Sequence, residues 1–185
     1  MKAKVIRHST SANKRDIVSF ELEAPRFIWA EMLTHRAASR NASSSRAIPN
    51  ARLTQDILDN PAMPVFWGSN KSGMQAGEEI NTPVQCPFTG EMLTREEAWR
   101  RAAGTGVAWS RAFHAAGYHK QLSNRLCENL GHIRAVFTMT NYAGFYALRC
   151  HEDAQPEIQR LACMMREAHM QSTATQVHPR EWPLP

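Results

Sequence analysis

Residues 17–23 read Ile-Val-Ser-Phe-Glu-Leu-Glu, with Val18, Phe20 and Leu22 alternating against Ser19, Glu21 and Glu23. A period of two predicts a strand with one buried face. Residues 2–7 offer it a partner across the polar turn at 8–15. After Pro25 the period lengthens: Phe27, Ala30 and Leu33 fall three apart, predicting a helix from Arg26 to about Arg36. Ser39 to Arg46 is dense in serine and has no period, so it reads as a loop. From Asn60 to Gly90 the chain is punctuated by Pro, Gly and Asn and reads as an extended excursion, of the kind that serves as a lid or a partner surface. Thr94-Arg95-Glu96-Glu97 resembles a capping box opening a helix through Ala98 and Ala102 toward His114, with a break expected at Gly104 and Gly106. A further helix is expected over 118–129. Residues 133–140 are rich in β-formers and read either as a strand or as the approach to the next helix. The run Asp153 to Ile158 caps a helix whose Ile158, Leu161, Ala162 and Met165 share one apolar face. The last dozen residues, with Pro179, Pro183 and Pro185, read as a tail. The chain shows no internal repeat, and the fold class implied is α+β.

Composition narrows the class. At 185 residues and 20.9 kDa the chain suits one domain over 1–185. With 43% hydrophobic and 21% charged residues it is neither a disordered polyampholyte nor a membrane protein, and no run approaches the roughly 18 apolar residues of a span. Polar Ser9, Thr10, Ser11 and Asn13 stand where a secretory signal needs apolar residues, so a cytoplasmic location is expected. Cys86, Cys127, Cys150 and Cys163 form no C-x-x-C pair, which predicts free thiols and no metal site. The 22 Lys and Arg exceed the 17 Asp and Glu, a net +5 that suits a phosphate-bearing partner.

Candidate chemistry gathers in three places. Thr34 to Arg46 combines a histidine, three arginines and several hydroxyls with small residues that let an anion approach the backbone. Lys120 to Arg125 is a second cluster. In the third, Arg149 follows Phe145, Tyr146 and Leu148 on an apolar helix, where a charge needs either a structural partner or a ligand.

Taken in order, these clusters resemble the flavin-dependent thymidylate synthases. Thr34-His35-Arg36, seven residues and then Ser44 is similar to that family's R-H-R-x7-S signature. Ser39, Asn41, Ser44 and Arg46 fall where its longer pattern R-H-R-x-x-S-x-N-E-x-S-x-R-Y places them. Phe145-Tyr146-Ala147-Leu148-Arg149, followed by Ala154-Gln155-Pro156-Glu157-Ile158, is similar to its F-x-x-L-R … A-Q-x-E-I segment, and Asn124-Arg125-Leu126 to its A-R-x-x-L stretch. The resemblance covers roughly 17–50 and 117–168. The chain departs from the pattern at Thr34 for the first arginine, Ala42 for the glutamate and Ala47 for the tyrosine, and the region about 60–102 resembles an insertion or elaborated loop.

The resemblance implies an antiparallel sheet with flanking helices and a homotetramer. It implies FAD as cofactor, NADPH as reductant and methylenetetrahydrofolate as one-carbon donor. The reaction it implies is one-carbon transfer to carbon 5 of a pyrimidine deoxynucleotide monophosphate, dUMP to dTMP, with no cysteine attacking the base. It puts Thr34, His35, Arg36, Ser39, Asn41 and Asn141 at the flavin. Glu31, Ser44, Ser45, Arg46, Arg125 and Arg149 fall on the nucleotide, with Arg149 in the catalytic role of stabilising the ionised ring nitrogen. Tyr142 reads as a ring-stacking residue or as core. The departures favour one alternative, a dUMP hydroxymethylase or a dCMP methylase or hydroxymethylase. The basic excess supports another, a nucleic-acid-binding module, which the ordered motifs disfavour.

Overall fold

The computed structural model describes residues 1–178, which divide into two compact units: 1–24, 28–43 and 133 onward form the first, and 25–27 with 44–132 the second.

The first unit is built on a five-stranded sheet in the order β3-β6-β2-β1-β7. Strands β1 (Lys2–Thr10) and β2 (Asp16–Pro25) pair antiparallel, with a register shift between Val5 and Arg7. The predicted alternation holds, with Val18, Phe20 and Leu22 buried. Residues 132–139 resolve as strand β6 (His132–Met139), in which Ile133, Ala135, Phe137 and Met139 point into the core. Strand β3 (Ser39–Ala42) pairs antiparallel with β6. This corrects the reading of 39–46 as loop throughout: serine and asparagine disfavour a strand in isolation, but the backbone bonds of β6 outweigh that weak preference. Helices α5 (Tyr142–Arg149) and α6 (Pro156–Met170) also belong to this unit. Helix α6 lies against β1 and α5. Gln155 is its cap, accepting from the Ile158 N–H at 3.0 Å, and Ile158, Leu161, Ala162 and Met165 form the expected buried face.

The helix expected over 26–36 is shorter. A 3-10 turn at Arg26–Ile28 leads into one α-turn, α1 (Trp29–Met32). Thr34 ends it, because its hydroxyl donates back to the Glu31 carbonyl at 2.7 Å and its N–H takes the same oxygen at 3.0 Å. The expected tail is also partly structured: β7 (Thr175–Gln176) pairs parallel with β1, while Pro179, Pro183 and Pro185 lie outside the described residues.

The second unit packs α2 (Asn50–Asp59) against α3 (Arg95–Ala115). Leu53, Ile57, Ala103, Val107 and Cys127 make its core. The capping box at Thr94 is present in full: its hydroxyl accepts from the Glu97 N–H, and the Glu97 carboxylate accepts from the Thr94 N–H at 3.0 Å. No break occurs at Gly104 or Gly106. A Cβ at Gly106 would sit 3.0 Å from Leu130 Cδ1 and 3.2 Å from the Leu126 carbonyl, so this glycine serves close packing inside a continuous helix. The helix expected over 118–129 resolves instead into a single turn, α4 (Lys120–Ser123), and 3-10 turns at Asn124–Leu126 and Glu128–Leu130. The excursion from Asn60 carries an antiparallel bridge between Gly68 and Glu79 and a short hairpin, β4 (Val84–Gln85) and β5 (Met92–Leu93), before α3 begins. Trp99 of α3 donates its indole N–H to the Ala62 carbonyl at 2.9 Å, holding the start of the excursion against the helix.

All four cysteines are free thiols, as their spacing predicts. Among the described residues no helix is long and apolar enough to cross a membrane, and no group of three or more His, Cys, Asp or Glu side chains could hold a metal ion. Because the capping box nucleates the 21-residue α3, Thr94→Ala is expected to lower the thermal unfolding midpoint by about 2–4 °C. An unchanged midpoint in a calorimetric scan would contradict that role.

Candidate active site

In the first unit the candidate residues meet where β6 hands the chain to α5. Asn141 caps this helix, its Oδ1 accepting from the Gly144 N–H at 3.2 Å. A Cβ at Gly144 would come within 2.9 Å of that oxygen, so the cap needs glycine at this position. Phe145 turns inward onto Phe137, and His35 meets it edge-on at 4.9 Å between ring centroids. One turn later Arg149 donates its Nε–H to His35 Nε2 at 2.9 Å. Of the two readings left open for Arg149, the structure supplies a structural partner that is itself a predicted site residue.

This bond settles the state of His35. A ring nitrogen that accepts from guanidinium carries no proton, so the imidazole is neutral with its hydrogen on Nδ1. Electrostatics agree: burial above all, then the charges of Arg149 and Arg40, holds His35 below the ordinary imidazole value of 6.5. Arg40 fixes the turn from below, donating to the carbonyls of His35 at 2.8 Å and Ala38 at 2.7 Å. Among the described residues no acceptor engages the two Nη groups of Arg149. A permanently charged fork, oriented through Nε and open at its tip, is suited to an electron-rich ligand.

His35, Ala38, Met139, Asn141, Phe145 and Leu148 line a pocket of about 210 Å³ beside this pair. Its wall is apolar apart from the imidazole and the amide. Thr34 and Arg36 stand exposed in the turns flanking His35, and Ser39 is exposed on β3. Asn41 goes elsewhere: it lines a separate hollow of about 400 Å³ with Ile6, Glu21, Ala42, Ser43 and Arg134. Glu31 is half-buried, and its backbone carbonyl serves the α1 terminus. Tyr142 packs inside the unit, edge-on to His169 at 4.6 Å, and donates its hydroxyl to Asp16 at 3.2 Å.

In the second unit, Ser44, Ser45 and Arg46 occupy a turn closed by Ala47 N–H to Ser44 O at 3.0 Å and Ile48 N–H to Ser45 O at 3.3 Å. Ser45 is buried, whereas Ser44 and Arg46 are exposed. Lys120 donates to the Ala47 carbonyl at 3.2 Å. Buried Asn124 donates to the carbonyls of Ser45 at 2.8 Å and Ile48 at 3.0 Å. Its neighbour Arg125 is exposed and lies 3.5 Å from Glu128. The turn and Arg125 thus share a mount, and together they present hydroxyl and guanidinium donors of the kind a phosphate takes. The Arg40 clamp and the Asn124 mount were not predicted: Arg40 lies between Ser39 and Asn41 and Asn124 between Ser123 and Arg125, and no local pattern marks either as a support.

A family model described as Thy1, thymidylate synthase complementing protein, matches residues 6–174, a span that takes in every cluster above. The chain belongs to this family. The thymidylate synthase complementing proteins are methyltransferases, and the expected α+β fold is theirs. Solved structures share it. The flavin-dependent thymidylate synthase ThyX from Helicobacter pylori, complexed with FAD and dUMP, aligns at 18% identity and a TM-score of 0.54 over 83% of this chain and 67% of that one. The UMP/dUMP methylase PolB from Streptomyces cacaoi aligns at 15% identity in two structures. With 5-Br UMP bound the TM-score is 0.62 over 91% of this chain and 87% of that one. With 5-Br dUMP it is 0.57 over 83% of this chain and 65% of that one, so there the chain spans just under two thirds of PolB. No curated protein matches the chain by sequence.

The His35–Arg149 pair makes a pH prediction. The native value is depressed, so the unfolded chain takes the proton more readily. The pair's contribution to stability is therefore whole above pH 6.5 and is lost as pH falls through the native value. An NMR titration of the His35 ring is expected to give a midpoint below 6.5 that rises in Arg149→Met, and to rise only in part, because burial is the larger cause. A midpoint at or above 6.5, or one indifferent to Arg149, would contradict the assignment.

Proposed function

We propose that this chain is a cytoplasmic, flavin-dependent methyltransferase that moves a one-carbon unit from methylenetetrahydrofolate to carbon 5 of a pyrimidine deoxynucleotide, converting dUMP to dTMP. The observation that carries the reading is Arg149, oriented by a neutral His35, with no acceptor on its two Nη groups among the described residues. A uracil ring becomes more electron-rich at carbon 5 when its ring nitrogen loses a proton. A guanidinium beside that nitrogen stabilises the negative charge, and it stays charged at every working pH. Ser44, Ser45, Arg46 and Arg125 take the nucleotide phosphate, with Glu31 as a further nucleotide contact.

FAD is the cofactor, NADPH its reductant, and the active form a homotetramer. A pocket of about 210 Å³ is too small for a dinucleotide but accommodates part of a ring system, and its apolar wall with one neutral imidazole and one amide suits such an edge. His35 and Asn141 would hold the flavin there, with Thr34, Arg36 and Ser39 around the turn. Asn41 belongs to this set by motif position and lies on the separate hollow at β3. When bound, FAD supplies the reducing equivalent that turns a methylene unit into a methyl group. The protein's own part is to orient the nucleotide and to hold His35 unprotonated. Residues 1–185 act as one functional domain, in which the stretch about 60–102 is an elaboration.

The test is mass spectrometry of the nucleotides after anaerobic incubation with FAD, NADPH, methylenetetrahydrofolate and an equimolar mixture of dUMP, UMP and dCMP. A dTMP peak is expected. A hydroxymethyl product would overturn the reaction, and modification of UMP or dCMP in place of dUMP the substrate assignment, each keeping the flavin site; no product from protein that retains no flavin would overturn all three.

A further inference from the structure

The turn Ser44–Ile48 is short, and two of its carbonyl oxygens, those of Ser45 and Ile48, would repel an anion if they faced outward. Both are taken inward by a single side chain. Asn124, fully buried, directs its amide nitrogen to Ser45 O at 2.8 Å and Ile48 O at 3.0 Å. The two ends of a carboxamide have nearly the same shape, so its hydrogen-bond partners decide which way it points, and here a second buried amide does so. Asn50 donates its Nδ2 to Asn124 Oδ1 at 2.9 Å and to Ser110 Oγ at 2.8 Å. Asn124 Oδ1 is therefore committed as acceptor, and its nitrogen must face the turn.

The chain Ser110–Asn50–Asn124 joins α3, the first residue of α2 and the 3-10 turn that carries Arg125. All three residues are 4% exposed or less. A buried polar network whose partners are satisfied is rigid, and removing a donor leaves buried acceptors facing each other.

We propose that Asn124 is the positioning residue of the nucleotide-phosphate site: it draws two carbonyl oxygens away from the anion and sets the Ser44–Arg46 turn and Arg125 at one fixed spacing. The inference rests on the reading that these residues take the phosphate. It adds that affinity for the phosphate depends on a side chain that never touches it. Asn124→Asp keeps the shape but replaces a donor with an acceptor, so that a carboxylate faces the two carbonyls. Ser110→Ala trims the far end of the network and leaves the turn's own bonds intact.

The test compares dUMP with deoxyuridine, which lacks the phosphate, by calorimetric titration of the full-length FAD-loaded protein. Asn124→Asp is expected to weaken dUMP binding about 10- to 100-fold and to leave deoxyuridine binding within about twofold. Ser110→Ala is expected to give a smaller loss of the same selectivity, and it decides the matter if the first variant does not fold. Equal losses for both ligands, or unchanged dUMP binding in Ser110→Ala and in folded Asn124→Asp, would overturn the proposal. Arg46→Ala separates this result from failure of the underlying reading. If wild-type protein prefers dUMP to deoxyuridine and Arg46→Ala loses the preference, the phosphate site stands whatever Asn124 does; if wild-type shows no preference, the site assignment itself is wrong.

Discussion

The antiparallel pairing of β3 with β6 is the constraint on which the first unit's site depends. Ser39 opposite Thr138 and Ala42 opposite Ala135 fix the register of an edge strand whose own residues have little strand preference. That register sets how far the chain must double back between α1 and β3, and His35 sits in the bend. The far end of β6 runs straight into the Asn141 cap and α5, so Arg149 is carried, two turns later, onto the same imidazole. A one-residue slip would turn every side chain of β3 to the opposite face. It would also move the bend that carries His35.

Charge is handled in a similar way at both sites. His35 is flanked by two guanidinium groups, Arg40 holding its carbonyl and Arg149 its ring, and it remains a neutral acceptor first because burial disfavours its charged form and then because protonation there would add a third positive charge. In the second unit the basic groups Arg46 and Arg125 stay exposed, while the polar mount beneath them is made of neutral amides and a hydroxyl. Neutral groups can be buried at far less cost than charged ones provided each finds its partner, and Asn50, Asn124 and Ser110 do so.

What the sequence disclosed followed from how local each signal was. The alternation at 17–23, the capping box at Thr94 and the apolar face of α6 depend on near neighbours, and each was legible. Ser39–Ala42 was not, because its strand exists only through bonds to β6, nearly a hundred residues away in the chain. The helix expected over 118–129 failed for a similar reason: Asn124 gives its side chain to carbonyls at 45 and 48, and the backbone there settles into short turns around that buried amide. Motif order was enough to place the chain in its family. It could not separate Asn41, which lies on another hollow, from the residues around His35, since motif spacing along a strand says nothing about which face a side chain takes.

The central claim is that carbon 5 of the pyrimidine is the reacting atom, and the most direct measurement is tritium release from dUMP labelled at that carbon. Methylation there must break the C5–H bond. The account predicts tritium appearing in water from FAD-loaded protein only when methylenetetrahydrofolate and NADPH are present, with release falling by at least about 100-fold in Arg149→Met, the loss expected when a transition-state charge partner is removed. Protein that holds FAD and binds dUMP yet releases no tritium, or releases it equally well without Arg149, would contradict it.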